Sequence, residues 1–420
     1  MSLWHCNNNC ENHSIVRLKF LGRTKGGSGF PDNEQGITGE ELPFFKVKDL
    51  AQENVGDYIF QADSSISLET AKRLRAFVFP KDSIVFAKVG AALLLHRFKL
   101  IGQPSCIDNN MMGFMANNSI LNYRYATYAF SLFNFEDIVN PGAVPSLNEE
   151  QINNQTIPVP TIDAQVQMVE FLDRETARLD SLISAKENLL SLLAEKRRAL
   201  VTSAVNRGIN AKVKLRNSGI PWLGEIPEHW KIERSKWLFK ERDIRSEFGD
   251  EEMLTVSHLT GVTTRAEKNV NMFLAESQEG SKICEAGDLV INTLWAWMGA
   301  MGVSSQRGIV SPAYNVYEPS ERLDKAYLDY LVRMPVFAQE AIRYSKGVWS
   351  SRLRLYPEGL YEIWFPVPPV EEQRAIAEYL GVETKKIDEL QEATERTIAL
   401  LRERRTALIA AAVTGHLKDN

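Results

Sequence analysis

The reading turns on residues 157–205, IPVPTIDAQVQMVEFLDRETARLDSLISAKENLLSLLAEKRRALVTSAV. The pattern returns at 365–413, FPVPPVEEQRAIAEYLGVETKKIDELQEATERTIALLRERRTALIAAAV, without a gap and at a constant offset of 208. Gln165 matches Gln373, Glu170 matches Glu378, Leu172 matches Leu380, and Glu175-Thr176 matches Glu383-Thr384. Asp180, Leu182, Ala185 and Glu187 match Asp388, Leu390, Ala393 and Glu395. So many identities in one register identify an internal duplication.

Each copy predicts one long helix. Proline stops just before it (Pro160; Pro368-Pro369), and acids follow at the start (Asp163; Glu371-Glu372), where the helix dipole favours them. Neither proline nor glycine interrupts the first copy from Asp163 to Arg207, and Gly381 alone interrupts the second before Gly415. Gly208 and Gly415 read as C-terminal stops. Apolar residues recur every seven positions: Leu172, Leu179, Leu193 and Leu200 in the first helix, Leu380, Ile387, Leu401 and Leu408 in the second. Lys186 and Thr394 break the row at equivalent places, while Ile183, Leu190 and Ile398 supply part of the alternate row. This is a coiled-coil seam. About 42 residues at 1.5 Å each give a rod of roughly 60 Å, and matching seams imply that the two rods pack on each other.

A globular segment precedes each rod. The two segments resemble each other weakly: Pro80-Lys81-Asp82-Ser83-Ile84-Val85-Phe86 resembles Ala286-Gly287-Asp288-Leu289-Val290-Ile291-Asn292, a turn followed by a buried strand. The expected architecture is an α/β (α+β) fold. Two mixed domains are separated by two long antiparallel coiled-coil helices in a pseudo-twofold internal repeat. The boundaries are a tail 1–13, a domain 14–156, a helix 157–208, a linker 209–230, a domain 231–364 and a helix 365–420.

With 420 residues, 44% hydrophobic and 25% charged, the chain has material for several cores. No apolar run is long enough for a membrane span, and the start Met-Ser-Leu-Trp-His-Cys lacks the basic and apolar regions of a signal peptide. Four cysteines in such a length fit a reducing cytoplasm. The net charge is −5, with 14 basic against 15 acidic side chains over 14–156 and 17 against 19 over 231–364. Neither segment is basic overall, so any nucleic-acid-binding face would have to be a local patch.

Ser218-Gly219-Ile220-Pro221-Trp222-Leu223-Gly224-Glu225-Ile226-Pro227-Glu228-His229-Trp230, the two Pro-Val-Pro stretches leading through a Gln into a heptad helix, and the ending Ala411-Ala412-Val413-Thr414-Gly415 resemble the specificity subunits of Type I restriction-modification systems. The resemblance spans nearly the whole chain. The Pro-Trp-Leu-Gly…His-Trp signature stands before the second domain and not before the first. The resemblance implies two target recognition domains, each reading one half of a bipartite asymmetric site in double-stranded DNA. It implies spacer helices that set the gap and dock two methyltransferase subunits, which methylate adenine, and restriction/translocase subunits that join them. The subunit itself is then non-catalytic and without a cofactor: S-adenosylmethionine, ATP and Mg belong to the partners. The alternatives are a coiled-coil adaptor without a DNA role and a single-chain restriction-methylation enzyme.

Candidate DNA contacts follow from acid-free basic stretches. The strongest runs from Arg343 to Arg354 and holds Arg343, Lys346, Trp349, Arg352 and Arg354 around Gly347. The first domain offers Lys88, Arg97 and Lys99, whose intervening Val-Gly-Ala-Ala-Leu-Leu-Leu reads as core. It also offers Arg23 and Lys25 in the Gly-rich stretch 22–29, read as a mobile basic loop and not a P-loop. The second domain adds Arg242 and Arg245, with Arg265, Lys268 and Arg307 weaker. Trp295 and Trp297, two apart in an apolar run, read as one face of a core strand. Asn/Asp-Pro-Pro-Tyr/Phe, helicase P-loop and common nuclease motifs are missing. His5, Cys6, Cys10 and His13 lack partner ligands for zinc.

Overall fold

A computed structural model of the chain describes residues 14–51, 58–140, 144–265, 278–347 and 353–416. Two helices organise it, Ile162–Arg207 and Val370–Val413. They occupy the two repeat segments. The backbone turns left-handed just beyond each, at Gly208 (φ 73°) and Gly415 (φ 76°). The chain divides into two compact units, and each takes part of both helices. Unit 1 is residues 1–186 with 396–420, and unit 2 is residues 187–395.

Each unit is built in the same way from the helix outward. A short antiparallel ribbon closes each mixed domain: Ser14–Arg17 pairs with Thr156–Val159 in unit 1, and Lys231–Arg234 with Trp364–Val367 in unit 2. The Pro-Val-Pro step leaves the ribbon and starts the helix. A fully buried glutamine then ties the first helical turn to the domain. Gln165 Oε1 accepts from the Asn122 amide (2.7 Å), while its Nε2 donates to the carbonyls of Ile120 (3.0 Å) and Pro160 (2.8 Å). Gln373 repeats the arrangement with the Asp324 amide and the carbonyls of Arg322 and Pro368, all at 2.8 Å. Asn122 and Asp324 are in turn the N-caps of the short helices Tyr123–Phe130 and Lys325–Val332. Three backbone groups that burial would otherwise leave unpaired are satisfied by one side chain.

Within unit 1 the two long helices run antiparallel. Val169 and Leu172, near the start of one, share a core with Ile409, Ala412 and Val413, near the end of the other, and with Leu18, Tyr125, Phe130 and Phe133 of the domain. In unit 2 the ends exchange roles: Ala204 and Val205 pack with Ile376, Ala377 and Leu380. An ion pair crosses between the helices in each unit, Arg405 to Asp180 at 2.8 Å in unit 1 and Arg197 to Asp388 at 3.2 Å in unit 2. The repeat offset converts one pair into the other. Of the seam positions, Leu172, Leu179, Ile183, Leu193, Leu380, Ile387 and Ile398 are buried. Leu190, Leu200, Leu401 and Leu408 are half-buried. Thr394, which breaks the heptad row, is buried with its hydroxyl bonded to the Leu390 carbonyl at 2.7 Å.

The mixed domains share a four-stranded sheet of the same strand order, to which unit 1 adds a fifth strand. Unit 1 has a five-stranded sheet in the order Gly22–Gly26, Met111–Ala116, Ile84–Ala87, Lys99–Ile101, Tyr58–Ile59. Unit 2 has a four-stranded sheet in the order Phe239–Glu241, Asn315–Pro319, Leu289–Ile291, Met301–Val303.

Three local expectations are corrected. The Gly-rich segment from Gly22 is an edge strand, because its glycines let it lie against neighbouring backbone. A Cβ on Gly22 would stand 2.3 Å from the Met115 carbonyl oxygen, and one on Gly27 2.0 Å from that of Asp108. The Ala91–Leu95 stretch is a 3-10 helix that buries Leu93 and leaves Leu95 55% exposed, so it is core only in part. Trp295 and Trp297 do not share a strand face. A 3-10 turn, Ala296–Met298, ends at Gly299 (φ 85°) and leaves Trp295 50% exposed.

Replacing Gln165 by Leu should strand one amide and two carbonyls in the core and destabilise the protein by about 3 kcal/mol. A lowered urea midpoint at unchanged m-value is the expected reading, and Gln373→Leu should do the same to unit 2. No shift in either variant would mean that the clamp is incidental.

Candidate nucleic-acid interface

The basic arm of unit 2 is built from a helix end. Arg343 lies in the last turn of Pro335–Tyr344 and pairs at 2.9 Å with Glu340, whose side chain is 4% exposed. The chain then forms a closed two-bond bridge. The Lys346 amide donates to the Arg354 carbonyl and the Arg354 amide to the Lys346 carbonyl, both at 2.9 Å. Lys346 and Arg354 are therefore held side by side, both exposed. Lys346 Nζ reaches Glu358 at 3.2 Å, an exposed pair that gives way easily. Leu355, buried beside Arg354, donates its amide to the Thr293 carbonyl at 3.3 Å and seats the arm on the core. Trp349 and Arg352 lie outside the described residues, as do Lys268 and the His5, Cys6, Cys10 and His13 group.

The remaining candidates of unit 2 divide by their partners. Arg242 is a structural cation. Its Nε meets Asp288, buried to 4%, at 2.7 Å, and a second nitrogen meets Glu318 at 3.4 Å. Arg245 is exposed, bonded to Asp243 at 3.2 Å and the Gly280 carbonyl at 3.1 Å. Arg307 is 61% exposed beside Glu285 at 3.7 Å.

In unit 1, Arg23 is exposed on the edge strand with its guanidinium 5.4 Å from the centre of the Phe77 ring. Lys25 is half-buried in the same strand. Lys88, just after the strand Ile84–Ala87, reaches the edge strand at Gly26: its Nζ lies 3.2 Å from where a Cβ on Gly26 would be, and Glu149 Oε1 lies 3.4 Å from that point. Glu149 also accepts the Gly26 amide at 2.7 Å. Arg97 and Lys99 lie apart from these. Arg97 is exposed after the left-handed His96 (φ 50°), and Lys99 is half-buried at the start of Lys99–Ile101. The fold thus brings Lys346 and Arg354 together, and sets the Lys88 ammonium beside Gly26 on the strand face opposite to Lys25.

One feature beside the arm escaped the sequence reading. A cavity of about 640 Å³ opens in unit 2, lined by Ser257, His258, Arg265, Asn292, Trp295 and Tyr314 among others. Asn292 ends the strand Leu289–Ile291 and is 6% exposed, and its Nδ2 donates to the Tyr314 hydroxyl at 3.0 Å. Burial pushes the Tyr314 phenol up, so it stays neutral. The available signal was the repeat itself: where the first copy has Phe86, 1% exposed among other rings, the second has Asn292.

Residues 14–191 match the family described as the Type I restriction modification DNA specificity domain. Over 340 residues the chain is 23% identical to the Type I restriction enzyme MjaVIII specificity subunit of Methanocaldococcus jannaschii, covering 76% of each protein. It is 22% identical over 279 residues to the putative MjaX specificity subunit of the same organism, covering 65% of this chain and 62% of that one. In fold it is similar to a chain from a structure of a type I R-M system concerned with complex assembly and conformational transition (TM-score 0.66, 16% identity, 98% of this chain and 100% of that one). It is also similar to the HsdS subunit from Thermoanaerobacter tengcongensis (TM-score 0.53, 15% identity, 97% and 98%).

Alanine at Lys346 or Arg354 should weaken binding to duplex DNA and lower the slope of log affinity against log salt by about 1 for each phosphate that is no longer neutralised. Arg242→Ala should instead strand buried Asp288 and cost about 3 kcal/mol of stability. Salt-titrated anisotropy and urea denaturation separate the two effects. An unchanged slope in Lys346→Ala and Arg354→Ala removes the arm from the interface.

Proposed function

We propose that this chain, which belongs to the specificity subunits of type I restriction-modification systems, reads a split DNA site with two domains and positions methyltransferase subunits on it. As a specificity subunit it recognises DNA sequence and is not itself an enzyme. The supporting observation is the duplicated junction. Gln165 and Gln373 tie two different mixed domains to the same kind of helix by the same three hydrogen bonds. A common mount carrying two heads of one sheet order but different sequence suits one site with two unlike halves, the helices setting the interval between them.

Phosphates would be met by the exposed arm residues Lys346 and Arg354 and by Arg245 in unit 2, and by Arg23, Lys25, Lys88, Arg97 and Lys99 in unit 1. Arg343 keeps free donors beyond its pair with Glu340 and belongs with the arm, as do Trp349 and Arg352 by their place in the sequence. Arg242, held by Asp288, supports the domain and does not reach for DNA. The methyltransferase would dock on the helices. Leu182 (45%) and Leu192 (61%) are exposed on the first, and their equivalents at the repeat offset, Leu390 (47%) and Leu400 (64%), on the second. Large apolar side chains exposed twice at matching places suit two copies of one partner. S-adenosylmethionine would be held by that partner, which methylates adenine, and ATP and Mg by the restriction/translocase subunits. No helix of the described residues is long and apolar enough to cross a membrane, and a cytoplasmic site of action suits the reading.

Co-expression with the methyltransferase subunit, followed by mapping of methylated adenines across the host genome, tests it. The expected result is one split motif with a methylated adenine in each half on opposite strands. A continuous motif overturns the two-headed reading. Methyl transfer by the purified chain alone favours a single-chain enzyme, and the absence of salt-dependent DNA affinity favours an adaptor. Leu192→Asp with Leu400→Asp should reduce methyltransferase co-purification at least ~10-fold without unfolding the chain. Full retention would move docking elsewhere.

A further inference from the structure

The cavity of unit 2 has a chemistry that phosphate binding does not use. Asn292 spends its Nδ2 on Tyr314, and its Oδ1 is buried with no hydrogen-bond partner among the described residues. A buried acceptor without a donor is costly to keep, and an incoming N–H would supply the missing bond. The rim supplies an aromatic plate. Trp297 is pinned by its Nε1, which donates to the Leu294 carbonyl at 3.0 Å, and Trp295 stacks on it at 5.9 Å with an interplanar angle of 24°. The near-parallel, offset contact with its neighbour helps to orient Trp295, and its half-exposed side chain lines the cavity. The rim is joined to the basic arm. Asn292 precedes Thr293, whose carbonyl takes the Leu355 amide next to Arg354. An N–H edge, a flat face and a nearby phosphate together describe a nucleotide, and about 640 Å³ holds one with room to spare.

We propose that this cavity captures one base of the DNA read by unit 2, swung out of the duplex, with Trp295 stacking on its face and Asn292 Oδ1 accepting an N–H from its pairing edge. The inference rests on the DNA-reading function proposed above. It assigns the capture to this chain and to a base other than the methylated adenine. Unit 1 has no counterpart at this position, since Phe86 fills the place of Asn292.

The test uses the full chain in complex with its methyltransferase, on duplexes carrying the mapped site. Each base pair is mismatched in turn on the partner strand. A mismatch removes the cost of unpairing, so it tightens binding where a base is extruded. The expected result is one position in the half-site of unit 2, apart from the methylated adenine, where mismatching tightens binding about 10-fold. Asn292→Leu, close to isosteric, should abolish that gain. Trp295→Ala, at a half-exposed position, should reduce capture by about 10-fold. If the complex binds and methylates its site but no such position exists, capture is overturned and the DNA-reading function stands. A gain that survives both substitutions puts the extruded base elsewhere and also overturns it. Calorimetric binding of free dAMP, dCMP, dGMP or dTMP that depends on Asn292, with no mismatch effect on duplex, makes the cavity a mononucleotide site and overturns the duplex-base assignment. A complex with no affinity for duplex DNA sinks this proposal together with the function on which it rests.

Discussion

One buried amide side chain per repeat carries the architecture. A long helix leaving a proline-interrupted ribbon has free amides at its start and a chain path that nothing inside the helix directs. Thr161 Oγ1 accepts one of those amides, from Ala164 at 3.4 Å, and Gln165 fixes the path by joining the helix start, the preceding Pro160 and the cap of a neighbouring short helix in one set of bonds. Thr176 adds a second tie further along: its hydroxyl bonds the Leu172 carbonyl at 2.6 Å and lies 3.3 Å from the Tyr128 hydroxyl. Thr384 stands to Leu380 and Tyr330 in the same way, at 2.7 and 3.5 Å. Everything that distinguishes the two domains is hung on this shared joint.

Away from the joint the heads diverge around a common skeleton. Asp82 and Asp288 occupy matching turns before matching strands. In unit 1 the carboxylate accepts from the Tyr58 hydroxyl at 2.8 Å, and in unit 2 it holds the Arg242 guanidinium. Removal of a charged partner costs most where the acid is buried, so unit 2 has committed a cation to its own fold that a charge count would have assigned to DNA. The same divergence replaces Phe86 by Asn292 and turns a packed position into a polar lining. A fold that keeps its frame and varies such positions can change what it reads without changing how it is mounted.

The helices, their stops and their pairing were legible because heptad spacing is a long-range signal repeated many times, and a duplicated register checks itself. The glutamine joint was visible only as a repeated letter, since its partners lie about 45 positions away in sequence. Short signals misled. Gly22–Gly29 has loop composition, yet Gly22–Gly26 is a strand, and Gly22 and Gly27 lie where neighbouring backbone comes too close for a side chain. Trp295 and Trp297 have strand spacing, yet the left-handed Gly299 that follows turns them into a stacked pair. Which arginines are exposed could not be read either. Arg242 and Arg245 are three apart in sequence, and only the tertiary placement of Asp288 separates them.

The division of the helices between the units bears on how the molecule comes into being on the ribosome. Residues 187–395 form a contiguous stretch and include every member of the core that holds Trp230, Tyr327 and Phe337. The core of the N-terminal head needs Ile409, Ala412 and Val413 from the far end of the chain. The head synthesised first is therefore completed last. Its unfinished apolar surface must wait through the translation of more than half the protein, at about 5–20 residues per second. Loss of the final helical turns would fall on the opening domain and spare the one beside it in sequence.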